Sequence, residues 1–168
     1  MMEISRDQLR IFTVVVGGLV LASYVWGVSR LSQPSDLWGG VTGNLQRFSV
    51  IFMFVAAIGY LIYWWITLFQ MESGDVANLR WPWGESDNKG TNRLLLSFAI
   101  FLIPSALWIE STGLHLRNPS DFTPFLVVGT LLLAGIGNVM LGLLAFSAYQ
   151  DDIPRASWLL FGAFALSI

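Results

Sequence analysis

The sequence predicts an all-α integral membrane protein with four transmembrane helices and a short or truncated fifth apolar segment. The chain of 168 residues is 55% hydrophobic and only 12% charged. Its apolar residues form long uncharged runs, and three of these reach or nearly reach the roughly 20 residues that a helix needs to cross about 30 Å of hydrocarbon, while a fourth does so if it is extended at both ends. The chain is tryptophan-rich, and most of its tryptophans fall near the ends of the runs, as is usual at membrane interfaces.

The predicted helices belong to a single multi-span membrane domain. The first two cover residues 11–28 and 48–69, and the fourth covers residues 122–149. The third apolar run, 94–109, is shorter, so we extend the helix to 92–111, with Thr91 or Asn92 as its N-cap. Pro104 lies inside this helix and predicts a kink, because proline removes one backbone hydrogen bond.

The fifth segment, residues 155–168, is apolar but too short to cross a membrane. Its uncharged part, 156–168, would span only about 20 Å as a helix. A charged carboxyl terminus at that depth would be costly. We interpret the segment either as part of a longer chain or as a half-span packed against protein, and we favour the first.

Lysine and arginine counts predict the orientation. Alternating spans place six of these residues on the side of the N-terminus and three on the other side. Cytoplasmic loops carry the excess of Lys and Arg. The N-terminus is therefore predicted to be cytoplasmic.

Composition excludes several classes of function. The chain has no cysteine and one histidine, which removes thiolate metal sites and bis-histidine haem ligation within one chain. A net charge of −2 without a basic patch argues against nucleic acid as a partner. The span cores lack charged residues and histidine, which disfavours ion-coupled transport and hydrolysis. We expect no catalytic residues, no metal site and no cofactor, whereas a lipid or pigment held by packing stays compatible with the sequence.

Helix 122–149 carries the residues that we expect to pack helices or contact a ligand. Ala134, Asn138 and Gly142 share one face, and Gly135 adds a thin neighbouring surface. We therefore expect this helix to be central in the fold. Asn138 is the strongly polar side chain deep in the bilayer, and its amide predicts an interhelical hydrogen bond or, alternatively, a ligand contact.

Two polar regions, one in a loop and one at the end of a span, contain candidate functional residues. Trp81 precedes a proline and is predicted to be extended, so that Trp81 and Trp83 would share one face. This pair suits membrane anchoring, contact with a partner subunit or a small-molecule site.

Glu110 and His115 lie at the end of the third helix, but a spacing of five residues suits one helix face poorly. They are interpreted as ordinary interfacial residues, with a metal or proton-relay role as the alternative.

Two functions follow from these patterns. The sequence favours a non-catalytic accessory or structural subunit of a larger membrane protein assembly, which packs helices and lipids or pigments beside other subunits or further copies of itself. The alternative is a small transporter or lipophilic-ligand-binding protein. Its site would lie around helix 122–149 and the region of Pro104.

Overall fold

The computed structural model describes residues 4–31 and 33–168, and all regular structure within these ranges is helical. A short 3-10 turn covers Pro34–Trp38, and a π-helical turn continues the second helix over Ile66–Gln70. The α-helices are α1 Arg6–Ser29, α2 Gly43–Trp65, α3 Ser73–Ala77, α4 Gly90–Arg117, α5 Thr123–Gln150 and α6 Ala156–Leu166.

Four of these helices are long and apolar enough to cross a membrane, as expected of a multi-pass integral membrane protein. They are α1, α2 with its π-helical extension, α4 and α5, whereas α6 is a shorter apolar helix. The predicted fold class is therefore confirmed. The side of the membrane that the N-terminus faces stays a prediction.

The central helix is α4, not the predicted helix 122–149. α4 packs along α1 and along α5, and α5 packs mainly against α4. The most apolar window of α4 is 39% buried, against 11–17% for the other three spans. Small side chains explain this position, because Ser97, Ser111, Thr112 and Gly113 are all buried on α4 and allow neighbouring helices to approach.

The start of α4 also differs from the prediction. The helix begins at Gly90, and no side chain caps it, so the expected Thr91 or Asn92 cap is wrong. The Asn92 Oδ1 atom instead accepts a hydrogen bond of 3.1 Å from the Ile4 backbone N–H, which ties the N-terminal segment to α4. At the other end, α4 continues past the predicted residue 111 to Arg117.

Glycines set the closest contacts between helices. A Cβ atom at Gly162 of α6 would lie 3.0 Å from the Gly59 carbonyl oxygen of α2. A Cβ atom at Gly137 of α5 would lie 2.7 Å from the Phe101 Cα atom of α4. These contacts join α2 to α6 and α5 to α4. α2 packs far more extensively on α6 than on α1, so α6 is its main attachment to the bundle.

Arginine side chains close one end of the bundle. The last carbonyl groups of a helix lack intrahelical partners and carry partial negative charge, so guanidinium groups bind there favourably. Three arginines from α1 and from the residue before α6 meet the end of α2 in this way. Arg6 donates to the Thr67 carbonyl, Arg10 to the Leu68 carbonyl and Arg155 to the Gln70 carbonyl.

Candidate functional site

A crevice of about 590 Å³ separates α1 from α2. Its α1 wall packs on α4, whereas its α2 wall packs on α6. Residues of α4 lie between the two walls and form the floor of the crevice. Rim residues such as Val14, Leu21 and Leu61 are exposed, so the crevice opens on the surface that faces lipid. The lining residues are Thr13, Val14, Gly17, Gly18, Val20, Leu21, Tyr24, Ala56, Ala57, Tyr60, Leu61, Trp64, Phe101, Leu102, Ser105, Asn138 and Leu166.

One end of the crevice is closed by a hydrogen bond between its two walls. The Trp64 indole Nε1–H on α2 donates to the Thr13 hydroxyl on α1 at 2.9 Å. Thr13 is buried, and its own hydroxyl donates back to the α1 backbone at the Leu9 carbonyl, 3.0 Å away. This end lies beside the arginine contacts at the end of α2, so the crevice is shut towards that face of the membrane.

The lining is almost entirely apolar and contains no aspartate, glutamate, lysine, arginine or histidine. Three of its polar groups already have partners, because Trp64 bonds Thr13 and the Ser105 hydroxyl donates to the Phe101 carbonyl at 2.6 Å. The hydroxyl groups of Tyr24 and Tyr60 form no hydrogen bond with any residue that the structure describes. The crevice therefore offers uncharged polar groups within an apolar wall.

Asn138 contributes the remaining polar group. Its Nδ2 atom lies 3.4 Å from the Leu166 carbonyl oxygen, a long interhelical hydrogen bond between α5 and α6. A carbonyl oxygen can only accept, so the amide must present its NH2 group to Leu166 and turn its oxygen away. The Asn138 Oδ1 atom is buried and has no partner within the described part of the chain. Burying such an acceptor costs free energy unless a donor reaches it.

The structure brings together only some of the residues that the sequence singled out. Asn138 lines the crevice, and so do Phe101, Leu102 and Ser105, which neighbour the buried Pro104 on an α4 that continues through this proline. Ala134, Gly135 and Gly142 do not line it, and a Cβ atom at Gly135 or Gly142 would meet no other atom within 4 Å. The glycine of α5 that meets α4 is Gly137.

Sequence reasoning missed the walls of the crevice on α1 and α2. Gly17, Gly18 and Tyr24 come from α1, whereas Tyr60 and Trp64 come from α2. Tyr60 carried the one usable signal, because it lies deep in the second apolar run, away from the interfaces that tyrosine normally prefers. A Cβ atom at Gly17 would lie 3.7 Å from the Tyr60 hydroxyl oxygen, so this side chain reaches across to α1.

Trp81 and Trp83 share a face, as expected, but a turn rather than an extended chain brings them together. The Gly84 backbone N–H donates to the Trp81 carbonyl at 2.9 Å, and the two rings stack with centroids 6.2 Å apart. Trp81 is half-buried against the core, whereas Trp83 is 75% exposed. The pair therefore presents one exposed ring on a hydrogen-bonded turn.

An ion pair holds this turn to the end of α5. The Arg80 guanidinium bonds both carboxylate oxygens of Asp151, at 2.8 and 2.7 Å, and also donates to the Gly84 carbonyl at 3.0 Å. The hydrogen bonds from Arg80 lower the pKa of the Asp151 carboxyl and raise the pKa of Arg80. Two-point contact of this kind orients the turn as well as holding it.

Glu110 and His115 have separate partners. Glu110 accepts a hydrogen bond of 2.8 Å from Arg117 and lies 3.9 Å from Arg30. The His115 Nδ1 atom lies 2.8 Å from the Thr123 hydroxyl. Across residues 4–31 and 33–168, no three His, Cys, Asp or Glu side chains are grouped to hold a metal ion.

The crevice and the stacked tryptophan turn are thus two features of the described residues that could receive another molecule. Comparison of the chain with protein-family models, with curated proteins and with solved structures found no match.

Proposed function

We propose that this protein binds a lipophilic small molecule within the membrane, in the crevice between α1 and α2. The observation that carries the proposal is an apolar crevice whose lining includes Asn138, a side chain whose buried Oδ1 atom has no partner among the described residues. This is the ligand-binding alternative that the sequence left open around helix 122–149 and Pro104.

Size and chemistry support specific binding. A volume of about 590 Å³ lies within the range of roughly 300–1,000 Å³ that small-molecule sites occupy. Such sites are mostly apolar, with a few polar groups that set orientation. Here Asn138 and Tyr60 supply those groups, whereas a surface that only met lipid tails would need neither.

Photolabelling distinguishes a binding site from ordinary contact with lipid. The protein in lipid nanodiscs is irradiated with a long-chain alkyl diazirine, and the labelled residues are mapped by mass spectrometry. We expect saturable label on Val14, Leu21 and Leu61, competed by unlabelled alkyl probe. Label on the exposed α5 residues Leu132 and Val139 should rise without saturation. Equal, non-saturating label on both sets of residues would refute the proposal.

A matched pair of variants tests the location. Gly18→Phe places a ring in the crevice, where a Cβ atom at Gly18 meets nothing within 4 Å. Gly129→Phe makes the same change on α5, also in open space but outside the crevice. We expect Gly18→Phe to abolish saturable labelling and Gly129→Phe to retain it. Retention in both variants would place the site elsewhere.

The subunit hypothesis has one observation in its favour, which is the exposed ring of Trp83. Tryptophan is enriched among the residues that dominate protein interfaces, and a ring fixed by stacking loses little conformational freedom on binding. Native mass spectrometry of protein extracted in mild detergent tests this second proposal. It predicts a heteromeric mass or a homo-oligomer for the wild type that is lost in Trp83→Ser. A monomer in both would refute it.

A further inference from the structure

The lining of the crevice restricts the charge of any ligand. No aspartate, glutamate, lysine, arginine or histidine lines it, and its borders are the apolar faces of α1, α2 and α4. Placing a charged group there would be costly, because nothing in the lining could pair with it. Ligands with a carboxylate, phosphate or ammonium group in the crevice would therefore bind poorly, and any polar group that a ligand places there must be neutral.

The unpartnered polar atoms restrict the kind of neutral group. Asn138 Oδ1 needs a hydrogen-bond donor. The Tyr60 hydroxyl, which has no partner among the described residues, can donate to an acceptor. A hydroxyl group does both, since it carries one O–H donor and accepts at its oxygen. An ether or an ester carbonyl could serve Tyr60 but would leave Asn138 Oδ1 unpaired.

The length of the crevice restricts where this group lies. From Thr13 to Tyr24 its α1 wall is roughly 16 Å long, about half of a hydrocarbon core of about 30 Å. The Trp64–Thr13 hydrogen bond closes one end. Asn138 lies near the middle of α5, so a polar group that reaches it sits within the hydrocarbon region rather than among the headgroups.

We propose that the ligand is a neutral lipid with a free hydroxyl group, which Asn138 and Tyr60 bind in the hydrocarbon region. This inference rests on the proposed function and names its ligand class. Oδ1 is enclosed by neighbouring atoms in this conformation, so binding includes a rotation of the amide about its Cβ–Cγ bond. The long 3.4 Å bond to the Leu166 carbonyl opposes that rotation only weakly.

Competition by three ligands that share the same dodecyl chain length and differ in their polar group tests the inference. Dodecanol, its methyl ether and dodecanoate are compared for displacement of the alkyl diazirine from the crevice, with concentrations expressed as mole fraction in the nanodisc. Dodecanol should compete at a roughly 3- to 10-fold lower concentration than the ether, which corresponds to one hydrogen bond gained in the membrane. Dodecanoate should be the weakest competitor.

Variants assign the effect to its residues. In Asn138→Leu the alcohol and the ether should compete equally, because the acceptor for the hydroxyl group is gone. Tyr60→Phe removes a donor that the alcohol and the ether can both use, so it should weaken competition by both ligands and leave the difference between them largely unchanged. If Asn138→Leu fails to fold, the wild-type ligand series still tests the preference for a hydroxyl group, and Tyr60→Phe still tests the contribution of the Tyr60 donor.

The outcomes separate this inference from the proposed function. Saturable labelling with equal competition by alcohol and ether, or with dodecanoate as the best competitor, would overturn the hydroxyl inference and leave the binding site standing. An unchanged preference for the alcohol in Asn138→Leu, or unchanged competition by both ligands in Tyr60→Phe, would also overturn it. Absence of saturable labelling would refute the proposed function itself.

Discussion

Replacing Gly137 by alanine perturbs the closest approach between α4 and α5. A Cβ atom there would lie 2.5 Å from the Phe101 backbone nitrogen and 2.7 Å from its Cα and Cβ atoms. Ordinary van der Waals contact begins near 3.4 Å. Because backbone atoms cannot rotate out of the way, the two helices must move apart or slide, and they do so along the most extensive helix contact in the fold.

The size of the effect follows from two opposing terms. Overpacking a well-packed contact costs about 1–3 kcal/mol, and a clash with backbone belongs in the upper half of that range. Alanine in place of glycine within a helix stabilises the helix by about 0.5–1 kcal/mol. We therefore expect Gly137→Ala to lower the free energy of unfolding by roughly 1–2 kcal/mol.

Gly129→Ala is the matched control, since it makes the same change in the same helix. A Cβ atom at Gly129 would meet no other atom within 4 Å, so only the helix-propensity term applies. This variant should be unchanged or more stable by up to about 1 kcal/mol. The predicted difference between the two variants is therefore about 2 kcal/mol.

Unfolding by SDS in mixed micelles, followed by tryptophan fluorescence, measures both variants against the wild type. The reasoning fails if Gly137→Ala and Gly129→Ala agree within about 0.5 kcal/mol, the usual scatter for substitutions without a structural effect. It also fails if Gly129→Ala is the less stable variant. Either result would mean that a Cβ atom at position 137 does not limit the approach of α4 and α5.

Two further predictions use the same unfolding assay. Trp64→Phe removes the hydrogen bond to Thr13 and should lower the free energy of unfolding by about 0.6–2 kcal/mol. Adding Thr13→Val to this variant should lower it little further, and fully additive losses from the two changes would contradict the hydrogen bond. The folded-state pKa of Asp151 is depressed by Arg80, so its stabilising contribution is complete above its ordinary pKa of 3.8 and is lost as the pH falls through the lower folded value. The stability difference between the wild type and Asp151→Asn should therefore be largest at neutral pH and shrink below about pH 4. A hydrogen bond from Arg93 also lowers the pKa of Asp87, but Asp87 titrates in both proteins, so its contribution cancels in the difference. A stability difference that grows on acidification would contradict the assignment to Asp151.

Part of the candidate site was predictable from residue type alone. Asn138 stood out because a strongly polar side chain within an apolar run must find a partner, wherever the neighbouring helices lie. Pro104 marked the adjoining stretch of α4 for a similarly local reason. Gly135 and Gly142 resemble Gly137 in sequence, but Gly137 alone of the three meets a neighbouring helix. Small size permits a close contact without determining which small residue makes it.

The sequence by itself determined that the chain is helical and how many helices can cross a membrane. Both properties depend on run length and on the requirement that backbone groups in lipid bond within their own segment. Only the tertiary structure decided that α4 is central, that α2 is held through α6, and that a crevice separates α1 from α2. The physical reason is that lipid tails are as apolar as leucine, so hydrophobicity does not select which helix faces meet. That choice depends on steric fit between small residues and on a few polar contacts, such as Trp64 with Thr13 and Asn138 with Leu166, whose partners are distant in the chain.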